Sequence, residues 1–306
     1  LDFILKNTIF IVQTENCWIK YEQERSSMNL QTILDCRMTR NEQYLTLLVQ
    51  KIRVCAAYKP KLGHGNKGFS IEEFRVLYGS DPFYAWLGLD NSLMYAAHKA
   101  AGGMTSIYRQ IGVGCEELFR QIIMDTLRLD KEAASWSYSV PTARGRMRTM
   151  SLDARIIVDD IAETAKRERV RSWLYQASEH LHINHAIWSS LQGVVFEVRQ
   201  GYKSKDSKRQ NADIANAATA YTQGYIPCLA VFSAQIDETI SLRYQAEKWL
   251  PLTGTLQKTS PIHSLFAFSE QVLGFGLADF FEQNSSVLQQ EIHAVLEALL
   301  RAEGGR

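Results

Sequence analysis

Two short apolar runs, residues 194–198 and 226–233, are each bounded by turn residues and bracket a helical stretch at about 206–221. Strand, helix, strand is thus written into the middle of the chain. Short strands at 136–140 and 151–158 come before it, and a long helical stretch at about 160–191 separates them from residue 194. Residues 111–129 precede the strands and carry Leu118, Phe119, Ile122, Ile123 and Leu127 at offsets of an amphipathic helix. The order helix, strand, strand, helix, strand, helix, strand is that of an α/β core, a mixed sheet flanked by helices.

The flanks are helical. Leu30, Ile33, Leu34, Leu45, Leu48, Val49, Ile52 and Cys55 recur at helical spacing and predict helices ending before Pro60, with a glycine- and lysine-bearing loop at 61–68. Ser70 with Glu73 is a capping box opening a helix at 71–77, and Asp81-Pro82 starts another. Residues 100–103 predict a flexible break, so that Gly112 and Gly114 begin a new helix with Glu116 and Glu117 in its first turn. Residues 238–250 and 285–302 predict closing helices. The change of texture divides the chain into a mainly helical region, 1–110, and a core, 111–306, with 160–191 as an insertion. Residues 1–27, ahead of the first methionine Met28, are assigned no function.

Composition narrows the function. With 46% hydrophobic and 22% charged residues the chain is neither disordered nor collagen-like. Its 34 Lys and Arg balance 33 Asp and Glu, which excludes a globally basic nucleic-acid coat, so a polyanion site has to be a local patch. The five cysteines, Cys17, Cys36, Cys55, Cys115 and Cys228, are scattered and make neither a disulfide framework nor a thiolate zinc site. No apolar run reaches the ~18 residues of a membrane span. A soluble protein of the reducing cytoplasm, with no membrane partner, is the expectation.

The densest polar cluster is residues 196–210, an apolar strand that runs into a basic tract with Lys203, Lys205, Lys208 and Arg209. Alternate strand residues share a face, so Glu197 and Arg199 point one way while Val198 points into the core. Asp153 lies on the otherwise apolar strand upstream, where a carboxylate is costly unless it meets a cation. Two carboxylates brought together by neighbouring strands repel, and a hard cation such as Mg2+ resolves the repulsion. Arg144, Arg146, Arg148 and Arg155, then Lys166, Arg167, Arg169 and Arg171, add local positive charge. Metal-assisted phosphodiester hydrolysis is the chemistry these groups suit.

The succession of a helix with Glu116, a strand with Asp153, the strand Glu197-Val198-Arg199, a Gln- and Lys-rich helix and the strand at 226–233 resembles the PD-(D/E)XK nucleases. The tract from Glu197 to Asn211 is similar to that of type II restriction endonucleases, in particular the BbvCI-like group that cuts CCTNAGC-type sites. The resemblance spans about residues 111–235. It implies a double-stranded DNA substrate, 5′-phosphate ends, and a homodimer or a heterodimer with a related subunit. It also implies Mg2+ on Asp153 and Glu197, with the Val198 carbonyl as a further ligand and Glu116 organising the site; Glu117 is the competing choice. Gln200, Lys205, Lys208, Arg209, Gln210, Arg144, Arg146 and Arg148 would contact DNA, and the helical region 1–110 would serve DNA recognition or subunit contacts.

Two departures mark the match. The family's lysine is Arg199 here, which can stabilise a phosphate but does not deprotonate water. Lys203 can take that role only if Gly201 bends the strand, since six extended residues would carry it ~20 Å from Glu197. The interval from Asp153 to Glu197 is long, which leaves Asp159 or Asp160 as alternative ligands. Plain structural roles compete throughout: an ion pair for Glu197 with Arg199, a strand-end hydrogen bond for Asp153, and a helix-terminus charge for Glu116. A structure-directed repair nuclease and a non-catalytic DNA-binding subunit are the rival functions. His180, His182 and His185 read as surface or groove histidines, Gly112-Val113-Gly114 lacks the context of a nucleotide loop, and Tyr84, Trp86, Tyr95 and Tyr108 read first as core.

Overall fold

The computed structural model describes residues 39–63, 65, 67–141, 145–201 and 207–301, and within them all side chains but those of 207–210 and 212. The chain divides into two compact units, 1–45 and 46–306. In the described part of the first, Thr39 and Glu42 cap each other: the Thr39 amide donates to the Glu42 carboxylate at 2.7 Å and the Glu42 amide to the Thr39 hydroxyl at 3.3 Å.

The second unit is built on a four-stranded mixed sheet, in the order β3 (Ala154–Ile157), β4 (Gly193–Arg199), β5 (Tyr225–Val231), β6 (Leu250–Leu252). β3 runs antiparallel to β4, and β4, β5 and β6 are parallel. β4 and β5 are buried along their whole length, as suits strands covered on both faces. The parallel pair is joined by helix α6 (Ser207–Thr222). A separate antiparallel ribbon, β1 (Trp136–Pro141) with β2 (Met147–Leu152), precedes the sheet.

Alternation along β4 sorts its side chains between two cores. Phe196 meets Phe119 of helix α4 (Ser92–Leu127) edge-on at 5.1 Å, with Phe268 against both. Val195, on the other face, packs with Ala217 and Ala220 of α6, Leu229 and Val231 of β5, and Tyr244 of helix α7 (Glu238–Ala246). Trp136 and Leu152 join this second core, so the root of the ribbon rests on α6. A further cluster joins α1 (Arg40–Arg53), through its Ile52, and α4 to α10 (Ser285–Leu300), by Ile107 against Val295 and Leu299.

The capping box is present as the sequence predicts: Ser70 and Glu73 close the start of α2 (Ile71–Gly79). Asp81 caps α3 (Pro82–Trp86). The predicted break at 100–103 is absent, because α4 runs unbroken from Ser92 to Leu127 and crosses position 110. Its glycines serve close approach instead: a Cβ on Gly102 would collide with the Tyr58 ring, and one on Gly103 would stand 2.6 Å from Leu299. Glu116 and Glu117 therefore lie deep in the helix, and a role as first-turn charges is excluded. The predicted helix at 160–191 is shorter, α5 (Thr164–His180), and is followed by a tight turn over His185–Ser190; His182, at φ 51°, stands in the left-handed region just past its end. The single strand predicted at 151–158 is two strands broken at Asp153, and β6 was not foreseen. Among the described residues no helix is long and apolar enough to cross a membrane.

Candidate active site

Asp153 occupies the joint between β2 and β3, where the chain leaves the ribbon and enters the main sheet. Its amide donates to the Phe196 carbonyl at 2.8 Å, and its carboxylate accepts from the Val198 amide at 2.8 Å. The two bonds clasp the residues on either side of Glu197, so β4 delivers Glu197 beside Asp153. Burial pushes the Asp153 carboxyl above its ordinary range, and nearby Asp213 adds to this; the Val198 amide, Arg199 and Arg120 pull the other way. A strand-end hydrogen bond is thus part of what Asp153 does, made by a largely desolvated carboxylate.

Glu197 and Arg199 share the α6 side of β4 and form an ion pair. Arg199 also reaches Asp213 on α6, at 3.1 and 3.3 Å, and Tyr244 of α7 donates to the same Asp213 carboxylate at 2.6 Å. Glu197, Arg199 and Asp213 are only 7%, 8% and 5% exposed, so this is a buried charge network, not a solvated edge pair. Arg199 further donates to the Val198 carbonyl at 3.3 Å. The Arg199 guanidinium is thereby shared between two carboxylates.

Helix α4 supplies the third wall. A Cβ on Gly112 would meet the Gln200 side chain at 4.0 Å, and Arg120, two turns on, acts on Asp153. Glu116 lies midway on that same stripe, at the spacing that shares a helix face. Glu117 points elsewhere and pairs with Lys51 at 2.7 Å. Of the two carboxylates, Glu116 is the one whose spacing matches Gly112 and Arg120. The buried Nε of Arg120 has no hydrogen-bond partner among the described residues.

The remaining candidates separate. Asp159 and Asp160 are exposed, and Asp159 pairs with Arg171. The α5 cations are occupied locally: Lys166 by Glu163, Arg171 by Asp159 and Glu168, Arg167 by the Ile161 carbonyl and Arg169 by the Val272 carbonyl. Arg155 donates to the Ala133 and Glu132 carbonyls. Arg146 and Arg148 are exposed at the outer end of the ribbon. Arg144, Lys203 and Lys205 lie outside the described residues, as do the side chains of Lys208, Arg209 and Gln210. Tyr95 is core, while Trp86 is 83% exposed and Tyr84 and Tyr108 are partly so. His180 lies against His263, and His185 stacks on Trp188. Cys55, Cys115 and Cys228 are buried and unbonded, and burial pushes the Cys115 thiol up to about 12.

Among the described residues no three His, Cys, Asp or Glu side chains converge as a metal-ligand group. A cation here would rest on Asp153 and Glu197, and Mg2+ is the ion that binds through as few as one or two carboxylates and fills its other positions with water and phosphate oxygens. Sequence reasoning missed Asp213 and Tyr244. No protein-family model, no curated protein and no solved structure matches the chain.

Proposed function

We propose that the protein is a Mg2+-dependent endonuclease of the PD-(D/E)XK type, acting on double-stranded DNA as a type II restriction enzyme and leaving 5′-phosphate ends. The observation that carries the reading is the clasp between Asp153 and β4, which sets the Asp153 backbone opposite Glu197 on the neighbouring strand. Asp153 and Glu197 would hold the ion, with the Val198 carbonyl as a further donor. Mg2+ there would polarise the phosphate and lower the pKa of the attacking water. Glu116 on α4 would help to organise the site. Arg199, anchored by Asp213, is a positioning residue for Glu197, which leaves Lys203 as the cation of the tract for the phosphate. Gln200, Arg146, Arg148 and the basic residues after Gly201 would hold the DNA. One such site cuts one strand, so a duplex cut needs a second subunit, a copy of this chain or a related partner.

The engagement of Arg199 by two carboxylates favours one second reading, a DNA-binding subunit that does not cut. Supercoiled plasmid incubated with the purified protein in Mg2+ and in EDTA separates the two. Discrete Mg2+-dependent fragments support a sequence-specific nuclease, and cuts confined to damage or junctions would mark a repair enzyme. Retained, steeply salt-dependent binding without cutting would establish the binding subunit.

A further inference from the structure

The β1–β2 ribbon stands apart from the main sheet. Its root is fixed: Trp136 donates to Gln223 at 2.8 Å, Tyr138 donates to Asn216 at 2.6 Å, and Trp136 and Leu152 lie in the core beneath α6. Register places Trp136, Tyr138 and Val140 opposite Leu152, Met150 and Arg148, so these pairs share the anchored face. The opposite face pairs Ser137 with Ser151 and Ser139 with Thr149, and all four hydroxyl side chains are exposed. Towards its end Arg148 is exposed as well, and Arg146 follows at the tip. Residues 136–152 contain three arginines and no Asp or Glu.

We infer that this ribbon is an arm that enters the major groove of double-stranded DNA, with Arg146 and Arg148 on phosphates or base edges and the hydroxyl face against the groove wall. The inference rests on the nuclease reading for its choice of DNA and deepens it by naming the element that reads sequence. Three features carry it. The charge is single-signed, with Arg146 and Arg148 exposed and no Asp or Glu from residue 136 to 152. The shape fits, since a two-stranded ribbon is one of the two elements the major groove admits, and three residues beyond the anchored root extend ~10 Å against a groove ~8.5 Å deep. The side chains match, because arginine and hydroxyl groups are the donors that contact phosphates and base edges. The ribbon also ends at Asp153, so a groove contact at its tip is tied directly to the strand joint that carries the site.

The test is duplex binding by the full-length protein, followed by fluorescence anisotropy in Ca2+ over a range of salt, with a mixed-sequence duplex, the same sequence as single strand and as duplex RNA, and anionic vesicles as competitors. Wild type is compared with Arg146→Ala/Arg148→Ala and with Ser139→Ala/Thr149→Ala, all confirmed folded by thermal melts. The expected result is preferential binding of duplex DNA, weakened on the order of tenfold in the arginine variant with a salt slope smaller by about two. The hydroxyl variant is expected to bind DNA yet cut or select sites less discriminately. If wild type binds duplex DNA and the arginine variant binds it equally with an unchanged slope, the arm is overturned while the nuclease reading stands. If wild type binds no duplex DNA, or prefers RNA or vesicles, the nuclease reading falls and the arm falls with it.

Discussion

At Arg199, a single side chain decides how the site is held together. Its guanidinium lies between Glu197 and Asp213 with almost no solvent, and Tyr244 fixes Asp213 from the far side. Removing one partner of such a network leaves the others charged and buried, which costs more than the pair contributes. Arg199→Met is therefore expected to destabilise the protein by about 3–5 kcal/mol in urea unfolding, and Tyr244→Phe by about 2 kcal/mol. Equal, small losses in both variants would show that the network is solvated. Asp153 and Glu197 were legible in the sequence because a carboxylate on an apolar strand stands out. Asp213 was hidden behind the polar run 207–211 that opens α6, yet a signal existed: it falls four and seven residues before Ala217 and Ala220, on the small apolar face that packs against β4. Glu116 was singled out for a helix end that does not exist, because α4 begins at Ser92.

At the scale of elements, the strands were readable as short apolar runs, whereas helix boundaries depended on what the chain meets in space. Gly102 and Gly103 read as a break because glycine weakens an isolated helix; here they let Tyr58 and Leu299 approach α4 closely, and packing restores what propensity loses. Two glycines of one helix should thus respond oppositely. Gly103→Ala is expected to lower the melting temperature, since its Cβ would stand 2.6 Å from Leu299. Gly112→Ala, whose Cβ would find Gln200 at an ordinary 4.0 Å, is expected to raise stability by about 0.5–1 kcal/mol. Thermal melts of the two variants check the signs. The end of α5 makes a pH prediction. His180 and His263 meet edge-on at 4.7 Å, and burial first, then positive charge from His182 on His180 and from His180 and Lys258 on His263, holds both below their ordinary pKa of 6.5. The unfolded chain then binds protons more readily, so stability is fullest above that value and falls as pH drops through the folded pKa values. Urea midpoints between about pH 8 and about pH 5.5 should fall less steeply in His263→Gln than in wild type; parallel curves would refute the coupling.

Across the whole molecule, one mixed sheet serves two cores, and the site lies where they meet. The α4 side is aromatic, with Phe119, Phe196 and Phe268, and the α6 side is small and polar enough to admit Glu197, Arg199 and Asp213. Strand alternation on β4 is what divides the two, so a one-residue slip would turn both charges onto the aromatic face. On the proposed function, Asp153 and Glu197 act as one site while Glu117, bound to Lys51, stands outside it. The direct measurement is Mg2+-dependent cleavage of plasmid DNA by Asp153→Ala, Glu197→Ala and Glu117→Ala, each confirmed folded. The expected result is a loss of about a thousandfold or more in the first two, with cleavage by Glu117→Ala close to wild type. Cleavage that survives in Asp153→Ala or Glu197→Ala, or disappears only in Glu117→Ala, would contradict it.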